Sequence, residues 1–169
     1  QENLRTVGQG MIAYKNMRNK GKWPRESGVR FLLQLHKAKQ LEGRASECFV
    51  CPGTPNVYND EGESGGPGSS YDDWESITSD SISYAGRDTE TFPIRGADES
   101  AEVLASDDNE FGPNHKTVTN ILYAGGQVYP FALLIEGEDI LAEFPEYEQD
   151  GIPVGPDSPH EDLQKLSLD

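Results

Sequence analysis

Basic residues and long apolar runs are scarce in this chain of 169 residues. Lys and Arg number 14 against 30 Asp and Glu, which gives a net charge of −16 and a pI near 4.4. So acidic a chain is unsuited to binding nucleic acid, or an anionic membrane surface, through the bulk of its fold. No apolar run approaches the roughly 20 residues that a membrane-spanning helix needs, so the sequence predicts no such span.

Motifs that mark common enzyme sites are also absent from the sequence. It contains no Gly-x-Ser-x-Gly elbow, no phosphate-binding glycine loop and no His-Glu-x-x-His pair. The three histidines have no neighbouring base or nucleophile in the sequence, and nothing among the 30 acids selects a pair for glycoside hydrolysis. We therefore expect a protein that is not an enzyme, in which His115 anchors a loop by hydrogen bonding to a carbonyl group.

The few basic residues are concentrated near the start of the sequence. Residues 1–45 contain ten Lys and Arg and three Glu, whereas residues 46–169 contain four Lys and Arg and 27 Asp and Glu. A chain with this polarity could attract its neighbours head to tail. Alternatively, a basic helix could lie on the acidic body of the same molecule, and the sequence does not separate the two arrangements.

Two helices are predicted in the first quarter of the chain. Four apolar residues recur at intervals of three and four: Leu4, Val7, Met11 and Tyr14. This stripe predicts a helix over 3–18. Because Gly8 and Gly10 weaken that helix in isolation, we expect it to lie on another surface. A second apolar face predicts a helix over 29–41.

Short β-type segments follow over 81–135. Candidate strands lie at 81–84, 91–94 and 103–105, and Ala85-Gly86-Arg87-Asp88 separates the first two. In the segment 114–128, β-type residues stand on both sides of Gly125-Gly126, which is the signal of a two-residue hairpin turn. The composition of 59–70 predicts an exposed loop. The acidic, Pro- and Gly-rich residues 136–169 predict an irregular C-terminal extension that lies on the surface.

The two cysteines, Cys48 and Cys51, allow four interpretations. We favour a short-loop structural disulfide, which suits an exported protein. A redox-active pair would need a helix N-terminus at the first cysteine and a βαβ context, and neither is evident. A zinc site would need two more ligands, whereas the histidines are scattered singly along the chain. Two buried thiols are the remaining alternative.

Clusters of acidic residues raise the possibility of a calcium site. Calcium prefers several oxygens from closely spaced carboxylates on a flexible loop. Asp107 and Asp108 are the best candidates because they precede the hairpin, near an expected sheet edge. No cluster matches an EF-hand loop, and a solvated acidic surface is the simpler interpretation.

Several motifs in order resemble one family. The chain reads NLRTVGQGMIAYKN, then a Trp-Pro connection, FLLQL, FVCPGTP, SISYAGRD and LASDDNEFGPNH, and closes with His115-x9-Gly125-Gly126-x-Val. This order resembles the prepilin-like proteins of the planctomycete type, which carry an H-x9-D-G signature and are related to type II secretion pseudopilins and type IV pilins. The resemblance covers about residues 3–130. Where the family has Asp-Gly this chain has Gly125-Gly126, so the turn is retained and any role of that Asp is in doubt.

The resemblance implies a pilin-like α+β domain over 1–135, in which the N-terminal helix packs on a small antiparallel sheet. It implies a structural subunit of a type IV pilus-like filament or a type II secretion pseudopilus, with Leu4 to Tyr14 on the assembly helix. Its partners would be other filament subunits and the secretion or pilus machinery. The protein would be exported to the periplasm or cell surface, and an apolar anchor with a prepilin-peptidase site would lie upstream of Gln1. The alternative function is a calcium-dependent extracellular binding or adhesin-like module.

Overall fold

The computed structural model describes residues 1–52, 71–95, 99–108, 115 and 117–169. The predicted loop at 59–70 lies outside these residues. The described residues form five α-helices: α1 Glu2–Met17, α2 Gly28–Lys37, α3 Leu133–Glu136, α4 Glu138–Glu143 and α5 Tyr147–Asp150. They form five strands: β1 Tyr84–Arg87, β2 Val103–Asp107, β3 Val118–Tyr123, β4 Val128–Ala132 and β5 Leu166–Ser167. Short 3₁₀ turns occur at Gly43–Phe49, Trp74–Ser76, Ser79–Ser81, Glu99–Ala101 and Leu163–Lys165.

The five strands form one antiparallel sheet in the order β4-β3-β2-β1-β5. Successive residues of β3 point to opposite faces, so Leu122 belongs to an apolar cluster with α1 and α2, whereas Ile121 belongs to a second cluster with the C-terminal segment. The sheet is therefore covered on both faces. The mixed α+β class and the N-terminal helix on an antiparallel sheet are confirmed.

Helix α1 contacts the sheet through the predicted stripe. Leu4, Val7 and Met11 are fully buried, and Tyr14 is partly buried against the same cluster. A Cβ atom at Gly8 would lie 2.7 Å from Cδ1 of Leu122, so glycine is what permits this close approach. Burial of each large apolar side chain stabilises the fold by about 1.5–3 kcal/mol. The stripe therefore faces the domain's own core.

Helix α2 ends four residues earlier than predicted. Lys39 takes a left-handed conformation with φ of 57°, and the amide of Gln40 donates to the carbonyl of Leu35, which closes the helix. At its other end, Gly28 approaches β1 so closely that a Cβ atom on Gly86 would lie 2.0 Å from the Gly28 carbonyl oxygen. The pairing of α2 with the sheet thus depends on a glycine in the strand.

The predicted hairpin is confirmed as β3 and β4, with four residues, 124–127, between the two strands where two were expected. The amide of Gly126 donates to the carbonyl of Tyr123, and the amide of Tyr123 donates to the carbonyl of Gln127. This is a turn followed by a residue in the left-handed region, and Gly126 supplies that residue with φ of +85°. Gly125 does not need a positive φ, so only the second glycine of the pair is required by the turn.

Two of the predicted strands are wrong in detail. The strand expected at 81–84 lies at Tyr84–Arg87, where a connecting turn was expected, and 91–94 contains no strand. Arg87 can occupy a buried strand position because its guanidinium donates to the carbonyls of Phe92 and Val103 and to the carboxylate of Glu102. A charged residue in a strand core was not predictable without these partners.

The C-terminal segment is more regular than predicted. It contains three short helices and β5, which pairs with β1 as an edge strand of the sheet. Three of its buried apolar side chains cover the second face of the sheet: Ile152, Leu163 and Leu166. The expectation of an irregular surface extension is therefore wrong for this segment, which belongs to the same core. In the part of the chain described here, no helix is both long and apolar enough to cross a membrane.

Candidate functional site

Three side chains that can bind a metal ion or a proton lie close together at one end of the sheet. Cys51 follows the Gly43–Phe49 turn, Asp107 is the last residue of β2, and His115 stands just before β3. Antiparallel pairing of β2 with β3 places the end of one strand beside the start of the other. The sheet topology therefore brings Asp107 and His115 together. Cys51 lies beside them because it follows the Gly43–Phe49 turn.

The donor atoms of the three residues converge on a small region. Nε2 of His115 lies 3.3 Å from Sγ of Cys51 and 4.0 Å from Oδ2 of Asp107. One donor atom from each of the three residues lies within 4.8 Å of the other two. Cys51 and Asp107 are buried, with 3% and 1% exposure, whereas the His115 side chain is 36% exposed. The site is thus a buried pocket of donors with one ligand at the surface.

Asp107 is held rigidly by Asn120 on the neighbouring strand. The backbone amide and the side-chain amide of Asn120 both donate to Oδ2, at 2.8 Å and 2.7 Å. Burial raises the pKa of the Asp107 carboxyl, while the two Asn120 hydrogen bonds and the adjacent His115 oppose that rise. No Lys or Arg side chain among the described residues pairs with Asp107. Among the described side chains, His115 is the one that forms an ion pair with this buried carboxylate, and the N-terminal ammonium adds a further positive charge in its surroundings.

Tyr84 completes the buried surroundings. It stands directly opposite Asp107 in the β1–β2 register and is almost fully buried. Burial, together with the nearby Cys51 and Asp107, raises the pKa of its hydroxyl, so Tyr84 is neutral at physiological pH. Tyr84, Cys51 and Asp107 are each either neutral or negatively charged. None of these three side chains therefore brings a permanent positive charge to the cluster.

The cysteines do not form the predicted disulfide. Cys48 and Cys51 are both thiols in the structure, and Cys51 Sγ is directed at His115. Burial raises the pKa of the Cys48 thiol to about 12, so this residue behaves as an apolar core side chain. The two cysteines, three residues apart, therefore differ in their surroundings: Cys48 packs in the core and Cys51 belongs to the polar cluster.

The chemistry of the cluster depends on which ring nitrogen of His115 Cys51 and Asp107 approach. A Cys-His-Asp nucleophilic triad places the nucleophile on one ring nitrogen and the carboxylate on the other. Here Cys51 and Asp107 both approach Nε2 of His115. One nitrogen cannot both take a proton from the thiol and donate one to the carboxylate, so the geometry does not match a triad. Three donors around one point match a metal-ligand set.

The calcium prediction for Asp107 and Asp108 stays a prediction, and the described neighbours of Asp107 favour a different ion. Asp107 faces a thiol and an imidazole, which are poor ligands for calcium. The neighbouring Asp108 does not belong to the cluster. The donor set is instead one that suits zinc and related transition metals.

The two halves of the His-x9-Gly-Gly motif lie at opposite ends of β3. His115 precedes the strand, and Gly125 and Gly126 form the turn after it. Six strand residues at about 3.3 Å each separate the two ends by roughly 20 Å. The glycines therefore shape the hairpin and have no direct contact with the cluster.

Among the described residues, one ion pair joins a lysine of the basic N-terminal region to the acidic body of the same molecule. Lys15 on α1 bonds to the carboxylate of Glu99, which also accepts from the indole of Trp23 at 3.3 Å. The Lys15 hydrogen bond lowers the pKa of Glu99. Trp23 and Glu99 border a surface groove of about 320 Å³. At this contact, the arrangement of a basic helix on the acidic body of the same chain is the one found.

Comparisons with protein-family models, with curated proteins and with solved structures find no match to this chain. The resemblance to prepilin-like proteins consequently rests on the motifs alone and stays a prediction.

Proposed function

We propose that this chain is the exported domain of a pilin-like or pseudopilin-like subunit whose work is assembly into a filament. The observation that supports this most directly is the packing of α1 on the antiparallel sheet. Leu4, Val7 and Met11 of this helix are fully buried in the core that it shares with the sheet. This is the arrangement that the motif order implies. In such a subunit the domain covers the second half of the helix, and the first half joins the filament core.

The packing limits which surfaces can contact other subunits. The apolar stripe of α1 is used within the domain, so contacts between domains would involve other surfaces. Exposed apolar side chains occur on β4 and α3, where Tyr129, Leu134 and Ile135 are 44%, 48% and 77% exposed. The exposed part of the basic N-terminal region offers an electrostatic route to the acidic body of a neighbour, beyond the internal pair formed by Lys15.

The test that addresses the function most directly concerns the natural full-length protein. We expect the coding sequence upstream of Gln1 to encode a prepilin-peptidase site followed by about 20 apolar residues. We also expect mass spectrometry of the protein from its native cells to find an N-terminus cleaved at that site. A plain signal peptide, or an unrelated domain at that position, would contradict the proposal.

The electrostatic route is tested separately by self-association of the full-length protein. Exposed charges separated by more than about 8 Å are largely screened at physiological ionic strength. We therefore expect light scattering to report weaker association as salt is raised from 50 to 500 mM (about 14 to 4 Å in screening length). Association that does not depend on salt would exclude this route and would leave the filament function to the upstream helix.

A further inference from the structure

We propose that Cys51, Asp107 and His115 bind one divalent transition metal ion of the zinc type, which fastens the ends of three chain segments together. This inference does not depend on the filament function, because it rests on the geometry of the three side chains.

The spacing of the donors fits a tetrahedral ion. Zinc–sulfur bonds of about 2.3 Å and zinc–nitrogen or zinc–oxygen bonds of about 2.0–2.1 Å place tetrahedral ligand atoms roughly 3.3–3.6 Å apart. The observed separations are 3.3 Å between the thiol and the imidazole, and 4.0 Å between the imidazole and the carboxylate. The first separation lies within this range, and the second exceeds it, so binding requires the imidazole and the carboxylate to move closer together. Three protein ligands leave a fourth position for water or another donor.

The charge balance of the pocket also favours a cation. Asp107 is buried and pairs with no Lys or Arg side chain among the described residues, and a divalent ion could supply positive charge directly at its carboxylate. Binding converts the Cys51 thiol to a thiolate and releases its proton to solvent. The ion then carries two positive charges against one thiolate and one carboxylate, with His115 neutral, so the site as a whole is uncharged.

The surroundings of the ligands resemble the support that metal ligands usually receive. Metal-binding carboxylates are commonly held by hydrogen bonds from a second layer of residues. Asn120 provides two such bonds to Asp107 and fixes it on the sheet. His115, the ligand at the surface, gives an ion access from solvent without requiring the core to open.

Binding would join the Gly43–Phe49 turn, the end of β2 and the start of β3. These segments are far apart in sequence, since His115 lies 64 positions after Cys51. A ligand that binds the folded state and not the unfolded state stabilises the fold by mass action. The expected role of the ion is therefore structural.

The test is a titration of the chain described here, reduced and freed of metal, with zinc against a chromophoric chelator. We expect one ion per chain, and a rise in the melting temperature on loading. Cobalt in place of zinc should give the near-ultraviolet charge-transfer absorption of a cobalt–thiolate bond. The absence of one-to-one binding, or cobalt binding without that absorption, would overturn the proposal.

Variants identify the ligands. His115→Ala should weaken binding at least tenfold, and because this residue is at the surface the variant should fold. Cys51→Ser should abolish the cobalt–thiolate absorption. The matched control is Cys48→Ser, which changes the same residue type three positions away and should bind zinc as the wild type does. Asn120→Ser should weaken binding 10- to 100-fold, as loss of a supporting hydrogen bond does. Wild-type affinity in both folded His115→Ala and folded Cys51→Ser would place the ion elsewhere and contradict the proposal.

Discussion

The contact between Gly8 and Leu122 supports a quantitative prediction about how α1 lies on the sheet. In the interior of an ordinary helix, Gly→Ala stabilises a protein by about 1 kcal/mol. Here the added Cβ would lie 2.7 Å from Cδ1 of Leu122, well inside the roughly 3.5–4.0 Å of a normal carbon contact. Leu122 is fully buried, so relieving the clash costs about 1–3 kcal/mol. We expect Gly8→Ala to destabilise the domain by about 0–2 kcal/mol.

The sign of this effect should reverse when the leucine is shortened. Leu122→Ala alone should cost about 2–5 kcal/mol because it leaves a cavity beneath α1. In that background the new methyl at position 8 meets open space, and the helix preference of alanine returns. Gly8→Ala should then stabilise the protein by about 1 kcal/mol, which gives a coupling energy of about 1–3 kcal/mol between the two positions.

Urea denaturation of the four proteins measures this coupling. Gln9→Ala is a suitable control, because Gln9 is the exposed neighbour on the same helix and should have the same effect in both backgrounds. If Gly8→Ala stabilised the protein equally with and without Leu122, α1 would not contact the sheet at this point. The fold on which the proposed function depends would then be wrong.

Three further predictions follow from individual contacts. Gly86→Ala should destabilise the domain by about 3 kcal/mol or more in urea denaturation, because its Cβ would lie 2.0 Å from a backbone oxygen that cannot move aside as a side chain can. Tyr123→Phe should cost about 1–2 kcal/mol at pH 7, since it removes a 2.8 Å hydrogen bond to Asp162. Burial opposes ionisation of Asp162, but hydrogen bonds from Lys165 and Tyr123 outweigh it and lower the pKa of this carboxyl. The stability that comes from the ionised form is present above the ordinary value of 3.8 and is lost as the pH falls through the lowered value. The cost of Tyr123→Phe should therefore shrink as the pH falls below 3.8. Millimolar calcium should leave the melting temperature unchanged, because Asp107 faces nitrogen and sulfur donors, and a clear rise would restore the calcium-binding alternative.

The helices and the hairpin were predictable because their signals are local. The stripe of α1 and the β-type residues around Gly125-Gly126 repeat at the periods of the elements they form. The position of β1 was not predictable, because Gly86 and Arg87 read as a turn. Their strand conformation depends on α2 and on carbonyl partners from other segments. The role of β5 likewise depends on a pairing partner 80 residues earlier in the chain.

The candidate site combines residues that the sequence singled out for three unrelated reasons. Cys51 was assigned to a disulfide, Asp107 to calcium and His115 to a hairpin anchor. A zinc site was set aside because the histidines are scattered along the chain. Cys51, Asp107 and His115 come together because β2 pairs with β3 and because of the path that the chain takes after Gly43–Phe49. No spacing in the sequence encodes this proximity. Single-sequence patterns detect ligand sets on one element and miss those that tertiary contacts assemble.

The X-ray absorption spectrum at the zinc edge, recorded on reduced protein loaded with one equivalent of zinc, tests the assignment of Cys51, Asp107 and His115 most directly. We predict one sulfur neighbour at about 2.3 Å and nitrogen and oxygen neighbours at about 2.0–2.1 Å, with an imidazole contribution. The sulfur neighbour should be retained in Cys48→Ser and lost in Cys51→Ser. A first shell of nitrogen and oxygen alone in the wild-type protein would contradict the site.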